Sequence, residues 1–205
     1  AGKELSFETG EIGRLASGTV VCKSGGTHVL SAACFERKDE VTPLDFTPLR
    51  VDYIERKSSV GRTAGGYIKR DGRPSDEEVL VSRIIDRTLR PMFPPGFCRE
   101  VQILSWVLAY DKSANVDPLA LVGSSAALLS SAIPFDIPVA GVVVGMDAAG
   151  NFVVNPTREF LKTSPINLFC SGTEDSVMMI EGAADFVSED QMMGARVVVV
   201  ANMKP

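Results

Sequence analysis

Four segments that alternate apolar and polar residues precede the first helical pattern in this 205-residue chain. KELSFET, GTVVCK, THVLSAACFERK and LRVDYIER all read as strands, and glycine-containing turns, Gly25-Gly26 among them, separate the first three. Side chains along a strand point to opposite faces in turn, so Leu49, Val51 and Tyr53 share one face. Four strands in close succession predict a meandering, largely antiparallel sheet.

The pattern then changes period. Ser75-x-x-Glu78 has the form of a capping box, in which a hydroxyl serves a free backbone N–H and a carboxylate reaches back to the cap. Val79, Leu80, Ile84, Ile85 and Leu89 follow at helical spacing, and Arg90-Pro91 ends the helix. VQILSWVLAY, near-continuously apolar, reads as a central strand. DPLALVGSSAALLSSAIP (117–134) reads as a helix, with Pro118 in its first turn and small residues at 123–127 that permit close packing. PVAGVVVGMD turns through DAAGN into FVVN; INLFCSG and SVMMIEG are two more strands. A second capping box, Ser188-x-x-Gln191, starts a last helix. Four strands, helix, strand, helix, four strands and helix predict one α+β domain over residues 1–205, a mixed sheet packed against a few helices. With 45% apolar residues the chain can bury a sizeable core. No apolar run approaches the ~18 residues of a membrane span. The start at Ala1 shows no signal-peptide pattern and is compatible with a targeting segment removed before it.

Residues 57–75 have no periodicity and are rich in Gly, Ser, Arg and Thr, which predicts a long loop, of the kind that is either functional or disordered. The charge is uneven there. The whole chain carries a net −5, yet residues 50–100 hold eleven Lys and Arg against eight Asp and Glu. A cationic patch on an acidic body excludes indiscriminate nucleic-acid binding and suits one specific polyanion site. Lys69, Arg70 and Arg73 are either a solvated loop chosen for solubility or contacts to a phosphate backbone. Gly65, Gly66 and Gly72, which allow close approach, and Tyr67, which offers a stacking face, favour single-stranded nucleic acid. Arg83, Arg87 and Arg90 recur along the following helix. Arg90 has Asp86 at i, i+4; Arg83 and Arg87 are candidates for phosphate contact or for ion pairing within or between subunits.

Other chemistry is sparse. Four widely spaced cysteines and one histidine, His28, make no zinc-ligand pattern. Cys22, Cys34 and Cys170 lie in apolar strand-like runs and are expected to be buried free thiols. Gly123-Ser124-Ser125 lacks the Lys of a phosphate loop and is expected to serve packing. Asp111, Asp117, Asp136 and Asp147 flank elements, where Asp is common in turns; nothing distinguishes any of them as a Mg2+ ligand.

GRTAGGYIKRDGRPSDEEVLVSRIIDRTLRPMFPPGF strongly resembles the corresponding stretch of the polynucleotide phosphorylase family, in the first of its two RNase PH-like domains. LSFETGEIGRLASGTV, PLRVDYIERKSSVGR, DPLALVGSSAALLSSAIPF and FVVNPT agree with it, so the likeness runs nearly end to end. It implies an RNase PH-like domain within an enzyme that degrades RNA from the 3′ end. Inorganic phosphate attacks the terminal phosphodiester, nucleoside diphosphates leave, and Mg2+ supports the reaction. It also implies a homotrimeric ring around single-stranded RNA, a second RNase PH-like domain in the same chain, and residence in the bacterial cytoplasm, the mitochondrial matrix or the chloroplast stroma.

In the family the catalytic apparatus belongs to the second domain. Its acidic and lysine positions fall here near Leu161, Asn167 and Phe169, and its phosphate-holding turn near Val116 and Asp117. An aliphatic, an amide and an aromatic side chain cannot replace carboxylates and an ammonium at a metal site. The resemblance therefore implies no catalytic residue and no bound metal in this domain. The family's aromatic-aromatic-Arg-Arg segment, which contacts RNA, reads Tyr67, Ile68, Lys69, Arg70 here. Ile68 loses a stacking face and Lys69 loses bidentate geometry. Arg62 and Arg73 join Tyr67, Lys69 and Arg70 as expected RNA contacts. Two alternatives remain: a self-sufficient phosphorolytic exoribonuclease, and a non-enzymatic RNA-binding or scaffold module.

Overall fold

The structure, a computed structural model, describes residues 4–36, 44–65, 73–112 and 114–202. The strands are β1 (Ser6–Thr9), β2 (Gly18–Ser24), β3 (Thr27–Phe35), β4 (Leu49–Glu55), β5 (Val101–Ala109), β6 (Ala140–Met146), β7 (Phe152–Val154), β8 (Ile166–Gly172) and β9 (Val177–Ala184). The helices are α1 (Asp76–Leu89), α2 (Val116–Leu129), α3 (Arg158–Leu161) and α4 (Glu189–Asn202). The α+β class expected from the sequence is what forms.

The strands make two sheets, ordered β1-β2-β3-β5-β4 and β7-β6-β8-β9. The predicted meander holds for β1, β2 and β3. It fails at β4, which pairs in parallel with β5 at the sheet edge. The place beside β3 is taken by β5, which the chain reaches from β4 by crossing through α1. A parallel pair needs a crossover of this kind.

Helices α1 and α2 lie between the sheets. Helix α2 is apolar on all sides and packs on β2, β3 and β5 and also on β6. One core cluster therefore runs from Val29, Ile103 and Tyr53 of the first sheet through Leu121 to Val143 and Phe169 of the second. Fully burying each large aliphatic side chain in it stabilises by about 1.5–3 kcal/mol. A smaller cluster, with Val144, Ile166, Leu168, Ala195 and Val199, joins the far face of the second sheet to α4.

Small residues set the spacing of α2. A Cβ on Gly18 would lie 2.2 Å from the Ala127 carbonyl oxygen, and one on Gly123 would lie 2.8 Å from Ser31 Oγ. The Ser124 and Ser105 hydroxyls are 2.8 Å apart, and Ser105 and Ser31 are 3.0 Å apart, so a buried hydroxyl chain ties helix to sheet. Ser125 Oγ accepts from Val139 N at 2.9 Å. Residues 123–125 thus serve packing, as the sequence suggested. Helix α2 stops at Leu129, short of Pro134, because the Ser130 and Ser131 hydroxyls donate to the Ala127 and Leu128 carbonyls at the helix end.

Both capping boxes form. Glu78 N is 3.3 Å from Ser75 Oγ and Glu78 Oε2 accepts from Ser75 N at 2.7 Å; Ser188 and Gln191 repeat the arrangement. Of the apolar set expected on α1, Ile84, Ile85 and Leu89 are buried, together with Val81 and Thr88, whereas Val79 and Leu80 are exposed. Cys22 and Cys170 are buried, but Cys34 is exposed, since it points to the outer face of β3. The expected loop over 57–75 opens with a 3-10 turn, Lys57–Val60, closed by Gly61 in the left-handed region.

Candidate functional site

A cleft of about 580 Å³ lies between α1 and the second sheet, with the start of α2 among its lining. Asn115 caps α2, its Oδ1 accepting from Asp117 N at 3.2 Å, and this turn delivers Asp117 into the cleft. From the second sheet come Asn167 and Phe169 of β8, and from α3 comes Leu161. The side chains that the resemblance equates with the family's acid and lysine positions are therefore neighbours in space, beside the Asp117 of the equated phosphate turn. They present an alkyl group, an amide and a ring.

Arg158 was not foreseen. It starts α3, a four-residue helix that no periodic pattern announces; only Thr157, whose Oγ1 accepts from Phe160 N at 3.3 Å, signals it locally. The guanidinium donates to Glu55 at 2.6 and 3.4 Å and to Asp117 at 3.4 Å. Tyr53 OH donates to the same Glu55 oxygen at 2.7 Å. The Arg158 guanidinium also lies 5.9 Å from the Tyr110 ring centroid. Burial pushes the Asp117 carboxyl above its ordinary value, with Arg158 pulling the other way. Burial disfavours the charge on Arg158, but the Glu55 hydrogen bond and charge outweigh it and hold the cation. Burial also drives the Tyr53 phenol far up, so it remains a donor.

Mg2+ takes a near-octahedral set of oxygens, usually from one or two carboxylates with waters and phosphates. Here Glu55 and Asp117 both face a fixed guanidinium. Among the described residues no group of three His, Cys, Asp or Glu is arranged around a common point. This donor set does not fit the ion. Asp111 and Asp147 are turn residues. The first accepts from Gly26 N and Thr27 Oγ1 at 2.7 and 2.8 Å; the second accepts from Ala149 N and Asn151 N, both at 2.8 Å.

Arg83 and Arg87 stand on the exposed face of α1 and line the cleft. Neither has an acidic partner among the described residues. Arg90 differs: it pairs with Asp86 at 2.6 Å and donates to the Thr47 and Leu49 carbonyls, which makes it a brace between α1 and the approach to β4. Arg62 and Arg73 are exposed and flank the glycine-rich loop. Tyr67, Ile68, Lys69 and Arg70 lie outside the described residues. The loop leaves and rejoins the fold beside a hollow lined by Glu55, Arg56, Lys57, Ser75, Glu78 and Tyr110. Glu78 Oε1 there accepts from Glu55 N at 2.8 Å, so the loop's return point touches the residue that holds Arg158.

One mixed and one antiparallel sheet enclosing two helices, with a cleft at the start of α2, define an RNase PH-type fold. Solved structures agree. A chain of the Archaeoglobus fulgidus exosome with RNA bound to the active site superposes with a TM-score of 0.75, at 15% identity, over 98% of this chain and 85% of that one. Rice (Oryza sativa) Rrp46 superposes at 0.74, also at 15% identity, over 98% and 90%.

The chain belongs to the 3′ exoribonuclease family, matching its domain 1 over residues 1–134 and its domain 2 over residues 137–196. It is similar to polyribonucleotide nucleotidyltransferases. That of Protochlamydia amoebophila is 51% identical over 193 residues, 94% of this chain, and that of Bacillus pumilus is 47% identical over 195 residues, 95% of this chain. The chain spans 27% of the length of each. Among the described residues no helix is long and apolar enough to cross a membrane.

Proposed function

We propose that this chain is the first of two RNase PH-like domains of a polynucleotide phosphorylase, and that it guides single-stranded RNA while the second domain cuts it. The whole enzyme would release nucleoside diphosphates from the RNA 3′ end, with inorganic phosphate as attacking group and Mg2+ as its metal, both acting in the second domain. The observation that carries this reading is the cleft itself. Leu161, Asn167 and Phe169 share it with Asp117, whose carboxylate is already bound to Arg158 and which the resemblance equates with the family's phosphate-holding turn. Similarity at about half of all positions to bacterial enzymes of that name supports the enzyme class and a bacterial cytoplasmic setting.

RNA contact falls to Arg62, Tyr67, Lys69, Arg70 and Arg73, with Arg83 and Arg87 as candidates for phosphate or subunit contact. The exposed positions of Arg62 and Arg73 at the two ends of the loop support this. Assembly into a homotrimeric ring is supported by the outer face of the first sheet. Val21, Leu30, Trp106 and Ile54 form one cross-strand apolar row there, while α1 and α2 pack on the opposite face.

Two measurements test the reading. The 205-residue chain with Mg2+, phosphate and poly(A) is expected to release no ADP; robust release, with contaminating nuclease excluded, would establish a self-sufficient enzyme instead. In the assembled enzyme, Lys69→Ala with Arg70→Ala is expected to weaken single-stranded RNA binding and to flatten its salt dependence by a slope of about 1 per lost phosphate contact. Unchanged affinity and slope would remove the loop from the RNA path.

A further inference from the structure

Strand β9 is an edge. It pairs with β8 on one side, and no strand among the described residues pairs with its other side. Its residues from Ile180 to Ala184 are all exposed. Ile180 stands opposite Cys170, on the sheet face that α4 covers. Helix α4 packs on β6, β7 and β8, however, and Ile180 stays 53% exposed. Just past the strand, Phe186 is fully exposed at φ +48°, a left-handed conformation that a residue with a bulky ring rarely takes. An open edge beside uncovered apolar side chains is a template for a further strand.

Charge decides the occupant. From Thr163 to Asn202 the chain carries Glu174, Asp175, Glu181, Asp185, Glu189 and Asp190 against one cation, Arg196. Asp175 lies just before β9 and Asp185 just after it, both exposed. We propose that the free edge of β9 takes an added strand from a partner protein, an extended basic segment with apolar residues at every second position and Lys or Arg at each end. The eight residues of β9 span about 26 Å at the ~3.3 Å rise of a strand, so a segment of equal length puts one cation near Asp175 and one near Asp185 in either direction. Main-chain hydrogen bonds supply affinity, and the alternate side chains, resting on Ile180, supply choice. A second copy of this chain is a poor occupant. Laid antiparallel on itself, β9 would bring the Asp175 end of one copy against the Asp185 end of the other, acid on acid. Single-stranded RNA is disfavoured in the same way, since its phosphates would meet these carboxylates.

The test is fluorescence anisotropy with the assembled enzyme and a labelled eight-residue peptide that alternates valine with threonine and has arginine at both ends. The peptide is expected to bind, and its counterpart with glutamate at both ends to bind at least about ten-fold more weakly. N-methylation of alternate backbone nitrogens keeps every side chain and charge. Made in both phases, it should abolish binding in one phase and spare it in the other, because only every second N–H of an added strand faces β9. Asp175→Lys with Asp185→Lys is expected to weaken the peptide by about ten-fold or more, and Ile180→Ser to weaken it independently of salt. Lys69→Ala with Arg70→Ala should leave peptide affinity intact, which separates this outcome from that of the RNA reading. Absent binding, or binding indifferent to both N-methylation phases, overturns the proposal. Displacement of the peptide by poly(A) would make the edge part of the RNA path instead. Binding to the 205-residue chain but not to the assembled enzyme would show that the enzyme's own remaining chain covers β9, and would equally overturn it.

Discussion

Arg158 and Glu55, 103 residues apart, are joined by two hydrogen bonds of 2.6 and 3.4 Å, and the same guanidinium reaches Asp117. Glu55 ends β4 of the first sheet, Asp117 begins the helix between the sheets, and Arg158 precedes β8 of the second. One cation therefore fastens three parts of the fold.

Removing that cation leaves two carboxylates facing each other without compensation. Breaking a fully buried pair typically costs ~3–5 kcal/mol. Here the side chains are 33%, 30% and 25% exposed for Arg158, Glu55 and Asp117, so solvent screens part of the effect. Arg158→Ala is expected to destabilise by about 2 kcal/mol, read as a lower urea midpoint at unchanged slope. Arg158→Lys should recover only part, because an ammonium cannot hold Glu55 through a planar fork. A variant as stable as the parent would show that the cluster contributes nothing net.

Asp117 gives a pH dependence whose sign is determined. Burial raises its carboxyl above 3.8, the ordinary value, against the pull of Arg158. The folded chain thus keeps this proton to higher pH than the unfolded chain. Between 3.8 and the raised value the folded state binds more protons, and the contribution of Asp117 to stability falls as pH rises. Asp117→Asn lacks that fall. Urea midpoints taken from acid to neutral pH should show the variant gaining on the parent through this window and then running level with it. Parallel curves throughout would contradict the shift.

Gly18→Ala is expected to be among the costliest single-methyl additions. Its Cβ would sit 2.2 Å from the Ala127 backbone oxygen, which cannot turn aside, so sheet and helix must part. Overpacking of this kind costs ~1–3 kcal/mol, occasionally more. Gly123→Ala should cost less, because Ser31 Oγ at 2.8 Å is the only close atom and the helix gains ~1 kcal/mol in propensity. Thermal midpoints of the two variants should rank in that order; the reverse order would mean that α2 is not held so close to β2.

Thiol reactivity should divide the cysteines. Burial pushes Cys22 up to about 12 and Cys170 up to about 11, so neither supplies thiolate at mildly alkaline pH. Cys34 is exposed on the outer face of β3. A disulfide reagent is expected to modify Cys34 first, with Cys22 and Cys170 reacting only in denaturant; peptide mapping of the modified chain decides it.

Much of the fold was legible because its signals are local. A capping box spans four residues, and both boxes formed where the spacing placed them. Strand alternation needs only a few residues, and INLFCSG became β8 without change. The cleft was legible in part: resemblance brought Leu161, Asn167, Phe169 and Asp117 together as an aligned set, and the fold made them neighbours. Arg158 left no such trace, because its partners lie 41 and 103 residues away and no periodicity links them.

The amino-acid sequence alone determined which segments become strands and the three long helices, where those helices start, and which family's chemistry the chain is related to, since these rest on short-range sterics, periodicity and motif. Only the tertiary structure decided that β5 would separate β3 from β4, that Cys34 would face outward, and that Arg83, Arg87 and Arg158 would share one cleft. Those outcomes depend on which surfaces meet when two sheets close over α1 and α2, and contact across a core is set by packing of the whole rather than by any stretch of neighbouring residues.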